Sequence, residues 1–202
     1  MMVLWAAGGA LGGLASGVAL RGLVGRFTPT GFALPLVSAA VLAVLATKFA
    51  GSAEVLAFAC LGAVGVALAF IDTAVHRLPD VLTLPAYPLV LLLLTVAALT
   101  GGTFGALGRA VLGGLALAFV YRVLEFVNPA GMGFGDVKLS GVVGMALAWL
   151  GWPELVFGAA LAFVLSAVVS LVLLLLRRIT LEDALPFGPF MLLGAFVAVL
   201  GH

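Results

Sequence analysis

Two aspartates in a chain almost free of charge are the residues here able to do chemistry. Of 202 residues, 65% are hydrophobic and 8% are charged. Asp136 stands behind three glycines in Gly131-Met132-Gly133-Phe134-Gly135-Asp136-Val137-Lys138-Leu139, and Asp72 closes a hydrophobic run in Phe70-Ile71-Asp72-Thr73. A charge beside hydrocarbon is expensive and by default marks a functional site. Two carboxyl groups suffice to hydrolyse an amide. The ionised one takes a proton from water, and the protonated one hydrogen-bonds the scissile carbonyl. Side by side they cannot both ionise cheaply, so the pair shares a proton. No metal and no covalent acyl intermediate is required. Three glycines within five residues let the backbone bend sharply, through positive φ where the turn demands it, and come close to another chain.

Each candidate also has an ordinary structural explanation. Asp72 would be an interfacial carboxylate bridged to Arg77 or solvated, although the negative end of a helix is a poor place for an anion. Asp80, in His76-Arg77-Leu78-Pro79-Asp80, would cap a helix over Val81 to Thr83 or hold the loop near the site. Asp136 would itself be an N-cap with Leu139 at N3, but three preceding glycines exceed what a cap requires. Lys138 would be a solvated flank or would help position the acids. His76 reads as an interfacial histidine rather than a base. Cys60 reads as a small buried apolar residue, Glu125 as the partner of Arg122 three residues before it, and Glu182 with Asp183 as a solvated turn. The sequence has no Cys/His cluster for a metal, no Gly-x-Ser-x-Gly, no His-Glu-x-x-His and no Gly-Lys-Ser/Thr phosphate loop.

These residues must be positioned by membrane helices. So small a charged fraction does not cover a soluble globule, and apolar runs fill nearly the whole chain. A helix that spans the bilayer needs about 20 apolar residues. Charges and Gly/Pro clusters divide the chain into about eight pieces, over residues 3–24, 31–48, 53–71, 81–100, 106–124, 136–152, 154–176 and 186–201. Runs such as Leu171 to Leu176 lack the alternation of a membrane barrel. The expected fold is all-α, a polytopic bundle of about eight transmembrane helices forming one integral membrane domain over residues 1–202. With the N-terminus outside, one side of the membrane holds seven Lys and Arg (Arg21, Arg26, Arg77, Arg122, Lys138, Arg177, Arg178) and the other holds Lys48 and Arg109. The richer side should be cytoplasmic. Asp72, Asp136 and the longest polar connections, 72–80, 125–135 and 177–185, all fall there. Arg21 follows the first apolar run, which suits an uncleaved anchor.

Three segments, in order, resemble the prepilin peptidases, or type IV leader peptidases, of the Gly-x-Gly-Asp aspartic membrane protease group. They are Ile71-Asp72 with Leu78-Pro79-Asp80-Val81-Leu82-Thr83-Leu84-Pro85, then Gly131 to Leu139, then Pro186-Phe187-Gly188-Pro189-Phe190. The resemblance covers roughly residues 55–200. It implies an aspartic endopeptidase of the cell's inner (plasma) membrane, with its active site facing the cytoplasm. Asp72 and Asp136 would be the catalytic pair, and Gly131, Gly133, Gly135, Lys138 and Asp80 motif or substrate-positioning residues. The implied substrate is a prepilin or pseudopilin, cut after a Gly where its basic leader meets its apolar helix. Two-activity members carry a cytoplasmic domain after the first helix, often with paired CxxC motifs. Here only Arg21 to Thr30 separates the first two helices and there is one cysteine, so methyltransferase activity is not expected. No cofactor, metal or nucleic acid enters this reading, and the sequence carries no signal for an oligomeric state. The alternative is a proton- or cation-coupled transporter using intramembrane carboxylates. It would show repeats and interrupted helices, and Pro85 and Pro88 are the residues that would break the fourth helix.

Overall fold

The computed structural model describes residues 1–129, 131–180, 183 and 185–202. Glu182 lies outside the described residues. Among those described, every regular element is a helix: α1 (Met2–Val24), α2 (Ala33–Lys48), α3 (Val55–Val75), α4 (Asp80–Gly101), α5 (Phe104–Val127), α6 (Phe134–Leu150), α7 (Trp152–Leu175) and α8 (Gly188–Gly201). All eight expected helices form, and no boundary moves by more than four residues. A segment that is apolar all round can lie in lipid only if its backbone groups pair within it, and the helix does this.

The expected count of full spans is corrected. Among the described residues five helices, α1, α3, α4, α5 and α7, are long and apolar enough to cross a membrane. The other three have 16, 17 and 14 residues, short of the roughly 20 a span requires. The most informative of them is α6. It is cut short by Gly133 before it and by Gly151, Trp152 and Pro153 after it, and it is buried along nearly its whole length, from Asp136 to Trp149. Helices α4, α5, α7 and α8 pack around it, so α6 forms the centre of the bundle. The lipid-facing residues are on the outer helices, where Phe119, Val156 and Leu171 are more than half exposed. The chain is a multi-pass membrane protein.

Small residues bring the helices together where no hydrophobic drive separates helix from lipid. Gly113 and Gly114 of α5 lie against Gly144, Gly141 and Ala148 of α6, and Gly158 of α7 lies against Gly194 of α8. The helix ends sort into two faces. At one, Arg109 donates to the carbonyls of Ala148 (2.6 Å), Trp149 (2.6 Å) and Leu150 (3.1 Å), covering acceptors that the end of α6 leaves unpaired. Lys48 Nζ donates to Leu200 O at 3.3 Å, and His202 Nδ1 lies 2.8 Å from Glu154 Oε1. At the opposite face lie the end of α3 and the starts of α4, α6 and α8, where the Gly188 N–H reaches Asp72, Gly135 lies against Leu78 and Lys138 reaches Asp80. Pro85 and Pro88 lie inside α4, which runs on through both, so the interrupted helix that the transporter reading requires does not form.

Candidate active site

Asp72 stands in the last turn of α3, with only 5% of its surface exposed. Its own carbonyl accepts the His76 N–H at 2.9 Å, where His76 ends the helix in the left-handed conformation (φ 50°, ψ 40°). The chain end of α3 repels an anion, and the remedy comes from another helix. Asp72 Oδ2 accepts the N–H of Gly188 at 3.0 Å. Gly188 is the first residue of α8, so the carboxylate sits at that helix's positive end. A Cβ added to Gly188 would stand 2.7 Å from Oδ2, and only glycine allows this approach. Asp72 makes no ion pair with Arg77 and is almost wholly buried, so neither ordinary explanation describes it.

Asp136 is 8% exposed. It is not the N-cap of α6, which is Gly133. Asp136 occupies N3 and reaches back, its Oδ2 accepting the Gly133 N–H at 3.2 Å. This is half of a capping box; glycine has no side chain to supply the other half. The two carboxylates, from α3 and α6, lie close enough to act on one another electrostatically. Neither is bonded to a cation among the described residues.

Three glycines precede Asp136, but not for the handedness the sequence suggested. The glycines with positive φ are Gly31, Gly51 and Gly102 among the described residues, and Gly133 is extended at φ −79°, ψ 149°. What the segment needs is proximity. A Cβ on Gly135 would stand 3.0 Å from Leu78 Cβ, and one on Gly131 would collide with the Asn128 amide. Leu78 is buried, so the α3–α4 connection is pressed onto the start of α6.

Asp80 is likewise not an N-cap. Pro79 holds that position and Asp80 opens α4 without a side-chain cap bond. Its Oδ1 accepts from Lys138 Nζ at 2.6 Å. This pair ties α4 to α6, and Lys138 also lies over the Phe134 ring, 4.8 Å from its centroid. His76 is exposed, as an interfacial histidine should be. Arg122 pairs with Glu125 as expected. Cys60 is half-buried rather than buried. In the connection before α8, Asp183 accepts from the Thr180 N–H (2.7 Å) and hydroxyl (2.9 Å), which hold its carboxyl below the ordinary range. Among the described residues no group of His, Cys, Asp or Glu is arranged to hold a metal ion.

Sequence reasoning missed the Gly188 N–H, because a backbone donor leaves no mark in residue type. It also missed both tyrosines, the only two in the chain, although a hydroxyl in so apolar a bundle is itself a signal. Tyr87 donates to Lys138 O at 2.6 Å and fills the space beside Gly141. Tyr121 is wholly buried, its ring against Phe163 (5.6 Å between centroids) and Phe187 (5.9 Å).

The chain matches the type IV leader peptidase family over residues 59–201. It is similar to a prepilin leader peptidase/N-methyltransferase of Burkholderia pseudomallei, 36% identical over 188 residues that cover 88% of this chain and 58% of the relative. The protein of the same name from Pseudomonas putida is 34% identical over 165 residues, 78% of this chain and 54% of the relative. That from Aeromonas hydrophila is 37% identical over 142 residues, 67% and 46%. The chain thus spans about half the length of the curated relatives it matches. No solved structure matches it. None of these similarities supports a transporter.

Proposed function

Because the chain belongs to the type IV leader peptidase family, we propose that it is an aspartic endopeptidase that removes the leader of prepilin or pseudopilin substrates at the cytoplasmic border of the inner membrane. In this reading residues 1–202 act as one membrane peptidase domain, and Asp72 and Asp136 are its catalytic pair. The observation that carries the proposal is the placement of two buried carboxylates from separate helices at one end of the bundle, each held, among the described residues, by a backbone N–H. The ionised member takes a proton from water as the water oxygen attacks the scissile carbonyl carbon. The protonated member hydrogen-bonds the carbonyl oxygen and gives up its proton as the tetrahedral species forms. Breaking the C–N bond then returns a proton to the leaving amine. The proton belongs to the pair.

The seven-to-two distribution of Lys and Arg supports a cytoplasmic position for this face. A site there reaches the border between a basic leader and an apolar helix. Peptidase activity alone is proposed, since the connection between α1 and α2 covers residues 25–32, too few for a pocket that holds a methyl donor.

The test is incubation of the purified protein with a prepilin, followed by mass spectrometry. The expected product lacks its leader and carries a free N-terminal amine even with a methyl donor present. Asp72→Asn and Asp136→Asn are each expected to lose at least about a hundredfold in rate while inserting normally. No leader release by the wild type overturns the peptidase reading, a mass gain of one methyl overturns the single-activity part, and a folded variant that keeps most of its activity removes that aspartate from the pair.

A further inference from the structure

Helices α2 and α8 both pack on α3, and a groove of about 320 Å³ runs between them along the bundle. Val37 and Leu45 of α2 form one wall and Leu193 and Val199 of α8 the other. The floor is α3 from Phe58 to Phe70, about 18 Å at 1.5 Å per residue. Every residue that lines the groove is apolar. Two glycines keep it open. A Cβ on Gly62 would stand 2.7 Å from Leu45 Cδ1, and one on Gly65 would stand 3.0 Å from Leu192 Cδ2. Leucine tips from both walls settle onto bare backbone, which leaves the space between the walls free. The two ends of the groove differ. At the far end Lys48 Nζ of α2 donates to Leu200 O of α8 at 3.3 Å and ties the walls together. At the near end the lining stops at Phe70 and Pro189. Phe70 stands just before Ile71 and Asp72 in the chain, and Pro189 follows the Gly188 whose N–H holds Asp72. The groove therefore starts beside Asp72 and runs away from it through the membrane.

We propose that this groove seats the apolar helix of the substrate, the part that follows the scissile bond. This rests on the peptidase reading. A peptide bond held at Asp72 must send its apolar side into the membrane, and the groove is a carbon-lined path that begins there. A helix about 10 Å across and 18 Å long fills roughly 1,400 Å³, several times the groove. The substrate helix therefore lies along α2 and α8 with one stripe of side chains inserted, at i, i+3 or i+4, and i+7 spacing. The lining offers that stripe no hydrogen bond and no countercharge, so it admits aliphatic side chains and rejects a charge. Lipid hydrocarbon is the competing occupant. It is as apolar as the groove, so the preference for the helix comes from packing.

The test is cross-linking. Val37→Cys and Leu193→Cys replace exposed wall residues in a protein that also carries Cys60→Ala and Asp136→Asn, so that prepilin stays bound uncut. Each is joined by a bismaleimide to a prepilin with one cysteine in its apolar helix. Val168→Cys, exposed on α7 outside the groove, is the control. The yield at both wall positions should exceed the control by about tenfold, the ratio that a preference of about 1.4 kcal/mol gives. In the otherwise unaltered protein, Leu193→Trp should raise KM for prepilin about tenfold through overpacking and leave kcat and Tm unchanged. Equal yields at wall and control positions overturn the proposal and give the groove to lipid. Cross-links between two copies of this chain at the wall, in place of prepilin, give it to a second copy and overturn it as well. So does a Leu193→Trp protein whose KM is unchanged, or rises only as Tm falls. If the unaltered protein releases no leader, the peptidase reading itself fails, whatever the cross-links show.

Discussion

Gly188→Ala is the smallest change that tests how the proposed catalytic pair is held. It keeps the N–H that Asp72 accepts at 3.0 Å and adds one methyl group. That methyl carbon would stand 2.7 Å from Asp72 Oδ2 and 3.3 Å from its Cγ. Carbon and oxygen meet comfortably at about 3.3–3.6 Å, so the carboxylate or the start of α8 must retreat by about 0.6–0.9 Å. The retreat stretches the hydrogen bond and moves Asp72 relative to Asp136. A misplacement of about 1 Å costs on the order of a hundredfold in rate, and a hydrogen bond to a charged group is worth about 1.5–3 kcal/mol. Both routes give a loss of about ten- to a hundredfold in kcat. Folding should not suffer, since alanine is the better helix former by up to about 1 kcal/mol. The assay is the initial rate of leader release against prepilin concentration, beside thermal unfolding. Gly22→Ala in α1, whose added carbon meets nothing within 4 Å, is the control and should match wild type. If Gly188→Ala keeps kcat within twofold, the contact between α8 and Asp72 does not set the geometry of the site. A fall in Tm as large as that in rate would equally refute the reasoning.

Asp80→Asn should cost activity only a few-fold. Its bridge to Lys138 is between partly exposed side chains, 55% and 22% accessible, and such pairs are worth about 0–1 kcal/mol. Lys138→Met should cost as much, and the double variant no more than either, as kcat/KM for the three proteins will show. A dead Asp80→Asn beside an active Asp72→Asn would instead make Asp80 and Asp136 the pair. Arg109→Met, at the far face, should lower stability by about 2–3 kcal/mol through three abandoned carbonyls and leave kcat unchanged; an unchanged Tm would show that those bonds contribute nothing.

The helices were legible because lipid permits few alternatives. Where charges and Gly/Pro clusters cut the apolar sequence, the helices end, and the order of the pieces places both aspartates at one face. The shortness of α6 was legible as well: the expected piece, residues 136–152, is as long as the 17-residue helix that forms and is only displaced from it by two residues. The cap explanations weighed for Asp80 and Asp136 fail for a shared reason. Aspartates next to helix starts read as N-caps from sequence, yet Pro79 and Gly133 take those places and leave Asp80 and Asp136 to bond elsewhere. The glycines before Asp136 stand out in the sequence, but what each one meets depends on what lies opposite. Leu78 lies 57 positions before Gly135 in the chain, and no local pattern announces that they touch.

How the carboxylates are held bears on how they would work. A carboxylate locked onto an arginine or lysine is kept ionised, and a dyad of two such groups would have no proton to share. Here the nearest lysine, Lys138, is engaged by Asp80 outside the pair. Asp72 and Asp136 are each bonded through Oδ2 to one backbone N–H at a helix N-terminus, and neither Oδ1 has a bond among the described residues. An amide N–H satisfies the carbonyl oxygen of a protonated carboxyl as well as an oxygen of a carboxylate. The arrangement therefore fixes the position of both groups without fixing the charge of either. That is the condition under which one proton can pass between two acids during hydrolysis. Burial supplies the rest, since two bare charges at the edge of a membrane bundle are costly and one proton relieves most of that cost.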